Sequence, residues 1–165
     1  QRTFIYPLLM KGGNKRFPIS LISFAILFNI INGYINGRYI FFFSPVYSIS
    51  WIIDPRFIIG ILIFFTGLTI NIYSDYILRQ LRKTGERDYK IPYRGLFKYI
   101  SSPNYFGEII EWLGWAIATW SLPGLAFAVF TAANLMPRAF SNHKWYIKKF
   151  TNYPKQRKAL IPFIY

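Results

Sequence analysis

Four stretches of the chain are almost continuously apolar, at about 17–36, 56–78, 105–120 and 122–137. Apolarity sustained over most of a helix's surface suits a segment surrounded by lipid or by protein. The second stretch is near 20 residues and long enough to span a bilayer. The last two are shorter, and the run WSLPG at 120–124 between them reads as a tight hairpin turn. The pattern predicts helices at about 17–36, 56–81, 105–120 and 122–150, in an all-α, polytopic membrane protein with about four transmembrane helices. Residues 1–165 read as a single membrane domain. The second helix starts near Asp54-Pro55, and Pro137 is expected to kink the fourth. The segment 82–103 carries Gly85, Pro92, Gly95 and Pro103 and cannot be one helix, while the aromatic loop 37–55 suits a membrane interface.

Polar residues interrupt this apolar background at helical spacing. Asn71, Asp75, Arg79 and Arg82 follow one another at steps of four, four and three, so they share one helix face. Asn104, Glu108 and Trp112 repeat the device on the third helix, and Arg138, Asn142 and Tyr146 on the fourth. A further acid, Glu111, also lies in the third apolar run. Acids and amides at membrane depth cost several kcal/mol unless they face a partner or a polar cavity. One such ladder could be an inter-helical contact. Three ladders ending at one side of the membrane point to a polar pocket open to the cytosol. Arginines there can grip phosphates, the amides and carboxylates can take sugar hydroxyls, and Tyr89, Trp112 and Tyr146 can flank a ring. That set of groups describes a nucleotide cofactor.

Composition and charge sharpen this picture. The chain is 53% hydrophobic and carries a net charge of +14, too apolar for a soluble nucleic-acid binder. Eighteen of the 20 Lys and Arg residues fall in 1–16, 79–98 and 138–158, which four helices would place on one side. By the positive-inside rule that side is the cytosol, so the charge reports topology, helped by an anionic ligand or lipid surface. The absence of Cys excludes disulfides and thiolate chemistry, and the lone His143 leaves no metal site. From its neighbours, His143 reads as an interfacial histidine with a hydrogen bond. The basic tail from Lys148 to Phe163 suits a lipid-headgroup anchor as well as a cofactor role. Neither GxGxxG nor GxxxxGK[ST] is present, so Rossmann and P-loop modes of phosphate binding are unavailable. The start has no signal-peptide order and no Met, and reads as the interior of a longer polypeptide.

The runs YKIPYRGLFKYISSPNYFGEIIEWLGWAIATWS, NHKWYIKKF and YPKQRKALIPFIY strongly resemble the C-terminal part of the steroid 5α-reductase family, as do INIYSDYILRQLRK and RTFIYPLL. The resemblance implies a membrane enzyme that uses NADPH to reduce the C4–C5 double bond of 3-oxo-Δ4-steroids. Hydride would go to the enone β-carbon and a proton to the α-carbon. It places the cofactor contacts on Asn71, Asp75, Arg79, Arg82, Tyr89, Asn104, Glu108, Trp112, Arg138 and Tyr146. Asn142-His143 stands where some family members have a His pair, which alters one contact. The family's proton donor and most steroid contacts would lie upstream of Gln1, so this chain is expected to supply mainly the NADPH site.

The same resemblance sets the expected partners: a steroid or other lipid enone, the bilayer, and the upstream helices of the same protein, with no nucleic acid. The expected location is the endoplasmic reticulum membrane in a eukaryote or the inner membrane in a bacterium, with the basic loops and C-terminus cytosolic. Enoyl-CoA and polyprenol reductases share the C-terminal pattern. A membrane methyltransferase using S-adenosylmethionine would need an Arg-His before Pro103, where the chain has Ser101-Ser102. A non-enzymatic membrane subunit is the remaining class.

Overall fold

The computed structural model describes residues 19–44, 47–81 and 88–165. Among them the regular elements are all helical. α1 spans Ile19–Arg38 and runs into a π turn at Tyr39–Phe43. α2 spans Pro55–Gln80, α3 Pro103–Thr119 and α4 Leu122–Lys149, with short 3₁₀ turns at Ile49–Ile53 and Gly95–Lys98. The basic stretch 1–16 and Arg82 lie outside the described residues. α2 begins where its sequence dictates: Asp54 accepts a hydrogen bond from the Arg56 backbone at 2.8 Å, and Pro55 takes the first helical position. α4 continues through Pro137 as one helix. Among the described residues, α2 is the one helix long and apolar enough to cross a membrane by itself; an 18-residue stretch of its 26 residues has a mean hydropathy of 2.0.

The core of the molecule is the antiparallel pair α2–α3, held by glycines seven residues apart on each helix. A Cβ on Gly67 would lie 2.3 Å from the Glu111 nitrogen, and one on Gly114 would lie 2.3 Å from the Phe64 nitrogen. At Gly60 the nearest atom would be the Ala118 nitrogen at 2.3 Å, and at Gly107 the Asn71 nitrogen at 2.6 Å. The two backbones therefore touch with no side chain between them. In an apolar surrounding the hydrophobic effect cannot drive helices together, so close backbone packing of this kind supplies the attraction.

α3 reverses into α4 at Trp120, whose φ of 44° puts a non-glycine residue in the left-handed region. Ser121 then caps α4 by accepting from the Gly124 nitrogen at 3.2 Å. The loop before α2 closes the same end of the bundle. Tyr47 donates its hydroxyl to the Thr119 carbonyl at 2.7 Å, and Trp51 donates its indole N–H to the Ala118 carbonyl at 3.1 Å. These satisfy carbonyls that the end of α3 would leave open. α1 leans on α4 through Phe28, whose ring lies 4.9 Å from that of Phe130, and otherwise exposes most of its apolar surface.

Gly67→Ala and Gly114→Ala should each destabilise the fold by on the order of 1–3 kcal/mol, because the added methyl meets backbone rather than a movable side chain. Thermal unfolding in detergent checks this; wild-type melting of both variants would contradict the packing described.

Candidate functional site

The glycine seam fixes what comes next along both helices. One turn beyond Gly67, the Asn71 backbone rests against Gly107, and one turn before Gly107 lies Asn104. Asn71 donates its side-chain amide to the Asn104 carbonyl at 2.8 Å. Asn104 in turn donates its own amide to Oδ1 of Asp75 at 3.2 Å. Asn71 and Asp75 are buried and Asn104 half-buried, so the three form a desolvated polar line across the α2–α3 contact. Amide-to-carboxylate and amide-to-carbonyl bonds of this kind offset the cost of burying each group.

Arg79 follows Asp75 by one turn and is half-buried at the end of α2. Glu108 and Glu111 are half-buried on α3. The structure thus brings the α2 and α3 ladders together, and leaves Arg138 and Asn142 of the third ladder on an exposed face of α4. The three rings expected to flank a ligand each pack on another ring. Trp112 meets Phe127 edge-on at 4.4 Å, Tyr89 meets Trp145 at 4.8 Å, and Tyr146 stacks on Tyr153 at 5.3 Å. Lys149 sits 5.0 Å from both the Tyr89 and Trp145 rings.

His143 takes part in a network that sequence reasoning does not foresee. Its Nδ1 lies 2.6 Å from the Ser101 hydroxyl, which is also 2.6 Å from the Tyr153 hydroxyl and 3.2 Å from the Lys158 carbonyl. A carbonyl only accepts, so with all three bonds formed Ser101 donates to Lys158. It then accepts hydrogen bonds from the Tyr153 O–H and the His143 Nδ1–H. That tautomer leaves Nε2 of His143 free of its proton. Burial, then the charges of Lys158 and Arg157, push the His143 pKa below its ordinary value of 6.5. Arg157 itself is buried, with its guanidinium 5.0 Å from the Tyr93 ring and 5.1 Å from the Tyr153 ring. Ser101, Tyr153 and Arg157 escape a sequence reading because their partners lie far away along the chain. The doubled serine at the start of α3 and the tyrosine beside Pro154 are the only local hints.

Residues 15–165 match a family model described as 3-oxo-5-alpha-steroid 4-dehydrogenase. The chain belongs to the 3-oxo-5-alpha-steroid 4-dehydrogenase family. It is 51% identical over 164 residues to 3-oxo-5-alpha-steroid 4-dehydrogenase 1 of Homo sapiens, covering 99% of this chain and 62% of that protein. Similarity to 3-oxo-5-alpha-steroid 4-dehydrogenase 2 of Sus scrofa is 52% over 164 residues, 99% of this chain and 63% of the relative. For steroid 5-alpha-reductase DET2 of Solanum lycopersicum it is 50% over 167 residues, 99% and 64%. The chain therefore spans a little under two thirds of the length of these curated family members. In this 3-oxo-5-alpha-steroid 4-dehydrogenase family member, the polar line on α2 and α3 and the Ser101 network both fall within the matched region.

Because the folded His143 binds its proton more weakly than the unfolded one, stability should rise with pH while His143 loses its proton and level off above about 6.5. Unfolding of the protein measured from about pH 5 to 8 checks this. His143→Gln should flatten the slope, and a stability that falls with pH across that window would contradict the assignment.

Proposed function

We propose that this chain is the cofactor-holding part of a membrane oxidoreductase that reduces the C4–C5 double bond of 3-oxo-Δ4-steroids with NADPH. The observation that carries this reading is the buried line Asn71–Asn104–Asp75, one helical turn from Arg79, in a chain of this family. The donor set fits the cofactor's chemistry: amides and carboxylates suit ribose hydroxyls, and guanidiniums suit phosphates. Bound NADPH would supply the hydride for the enone β-carbon, while a proton completes the α-carbon.

Each residue then has a task of its own. Asp75 and Asn71 are the hydrogen-bonding groups for sugar hydroxyls, held in place by Asn104. Arg79, Arg82 and Arg138 would provide positive charge for phosphates. Asn104 and Glu108 would stand near the nicotinamide end. Tyr89, Trp112, Asn142, His143 and Tyr146 complete the proposed contacts. The steroid-binding groups and the proton donor belong to the length of the relatives that this chain does not span. α1 to α4 are all proposed to cross the bilayer, with the short α3 span supported by its neighbours. The basic ends face the cytosol, in the endoplasmic reticulum of a eukaryote or the inner membrane of a bacterium.

The test is NADPH binding by the protein in membranes, followed by turnover of a 3-oxo-Δ4-steroid read by mass spectrometry. Asp75→Asn and Arg79→Ala should each weaken NADPH binding by at least tenfold, as expected for a charge-assisted bond of about 1.5–3 kcal/mol. Wild-type NADPH affinity in both variants would sink the cofactor assignment, whatever the turnover.

A further inference from the structure

The last 16 residues form a hook whose two sides differ. Its inner side is locked onto the start of α3. The Ser101 backbone donates to the Lys158 carbonyl and the Lys158 backbone to the Tyr99 carbonyl, each at 2.9 Å, around the fully buried Ile100. Tyr153, Arg157, Ala159 and Leu160 are buried on this side. Leu160 and Ile161 then both donate their backbone N–H to the Tyr165 carbonyl, folding residues 160–165 into a closed loop. The tip of that loop points outward. Phe163 is 77% exposed and Ile164 76% exposed, with Phe163 held at φ 67°. A bulky residue in the left-handed region is unfavourable by about 1–2 kcal/mol, so the closed loop is holding it there.

Position and charge identify what this tip meets. Tyr165 stacks on Phe140 of α4 at 6.1 Å, and Phe163 meets Tyr99 at 5.4 Å. Phe140 is 18 residues beyond Leu122 at the opposite end of α4, a rise of about 27 Å, close to the thickness of a hydrocarbon core. In a bilayer spanned by the Leu122–Phe140 part of α4, the tip would lie level with one rim. Exposed Lys98, Lys144, Lys155 and Lys158 belong to the same end, with Lys144 only 4.4 Å from the Phe140 ring. From Trp112 to Tyr165 the sequence contains no Asp or Glu. An apolar tip among exposed lysines matches the acyl boundary and phosphates of an anionic leaflet.

We propose that this hook docks on the anionic leaflet of the membrane, with Phe163 and Ile164 entering the acyl boundary and the surrounding lysines meeting lipid phosphates. The inference rests on the bilayer-spanning reading above. The chain contains no cysteine, so single Phe163→Cys, Ile164→Cys, Thr151→Cys and Leu62→Cys variants each take one spin label. Labels are read for collision with oxygen and with a nickel chelate, in phosphatidylcholine vesicles with and without phosphatidylserine. The labels at 163 and 164 should favour oxygen several times more strongly when phosphatidylserine is present, while the exposed 151 label stays open to nickel. Adding Lys98→Glu and Lys155→Glu should remove that dependence. Nickel access at 163 and 164 in both vesicles, the same accessibility in both, or shielding from both reagents by a protein cover would each overturn the proposal. The Leu62 label separates the two claims: if nickel reaches it, the spanning reading fails. If oxygen alone reaches it while 163 and 164 stay in water, only the hook proposal fails.

Discussion

Direct contact between the α2 and α3 backbones is the constraint on which the rest of this structure depends. Gly60 and Gly67 on one helix and Gly107 and Gly114 on the other leave no room for a Cβ between them. Inside an apolar environment, few other arrangements bring two helices so close. That closeness lets short polar side chains reach across: Asn71 bonds a backbone carbonyl of α3, and Asn104 bonds Asp75 of α2. With larger residues in the seam the helices would stand apart, and the same amides would be left unsatisfied in a medium that penalises them. Packing and polar chemistry are thus one design.

The two ends of the bundle are finished differently. At one end Tyr47 and Trp51 cover the last carbonyls of α3, and Arg56 pairs with Asp54 while lying over the Trp51 and Trp120 rings. At the other end the hook of residues 150–165 clamps the start of α3 through Ser101, with His143 of α4 on the same hydroxyl. The basic end is therefore held by hydrogen bonds that include a titratable group. Arg157, buried against two tyrosine rings, adds a positive charge that helps burial keep His143 neutral.

Much of this is legible from residue spacing. The step of four between Asn71, Asp75 and Arg79 puts them on one face of α2, and Asn104 faces them because α3 is antiparallel. Asp54-Pro55 marks the start of α2, and WSLPG the reversal between α3 and α4. The glycines of the seam carry a signal of the same kind, a spacing of seven on each helix that keeps them on one face. What spacing along one helix cannot convey is contact between distant segments. Ser101 meets His143 and Tyr153 across 42 and 52 residues, so nothing local announces them. For the same reason the ring contacts of Trp112 with Phe127 and of Tyr89 with Trp145 are not legible along one helix. Periodicity also overstates independence: α3 and α4 look like spans by composition, while α2 alone has the length and apolarity to stand as one among the described residues.

If the seam sets the polar line, and the polar line holds the cofactor, damage to the seam should weaken NADPH binding according to where it falls. The deciding measurement is the NADPH dissociation constant of Gly107→Ala beside that of Gly60→Ala. Gly107 touches Asn71, and Gly60 lies at the far end against Ala118. Gly107→Ala should bind NADPH at least tenfold more weakly, about 1.4 kcal/mol, while folded Gly60→Ala stays near wild type. Equal affinities in the two variants would contradict the link between the helix contact and the cofactor site.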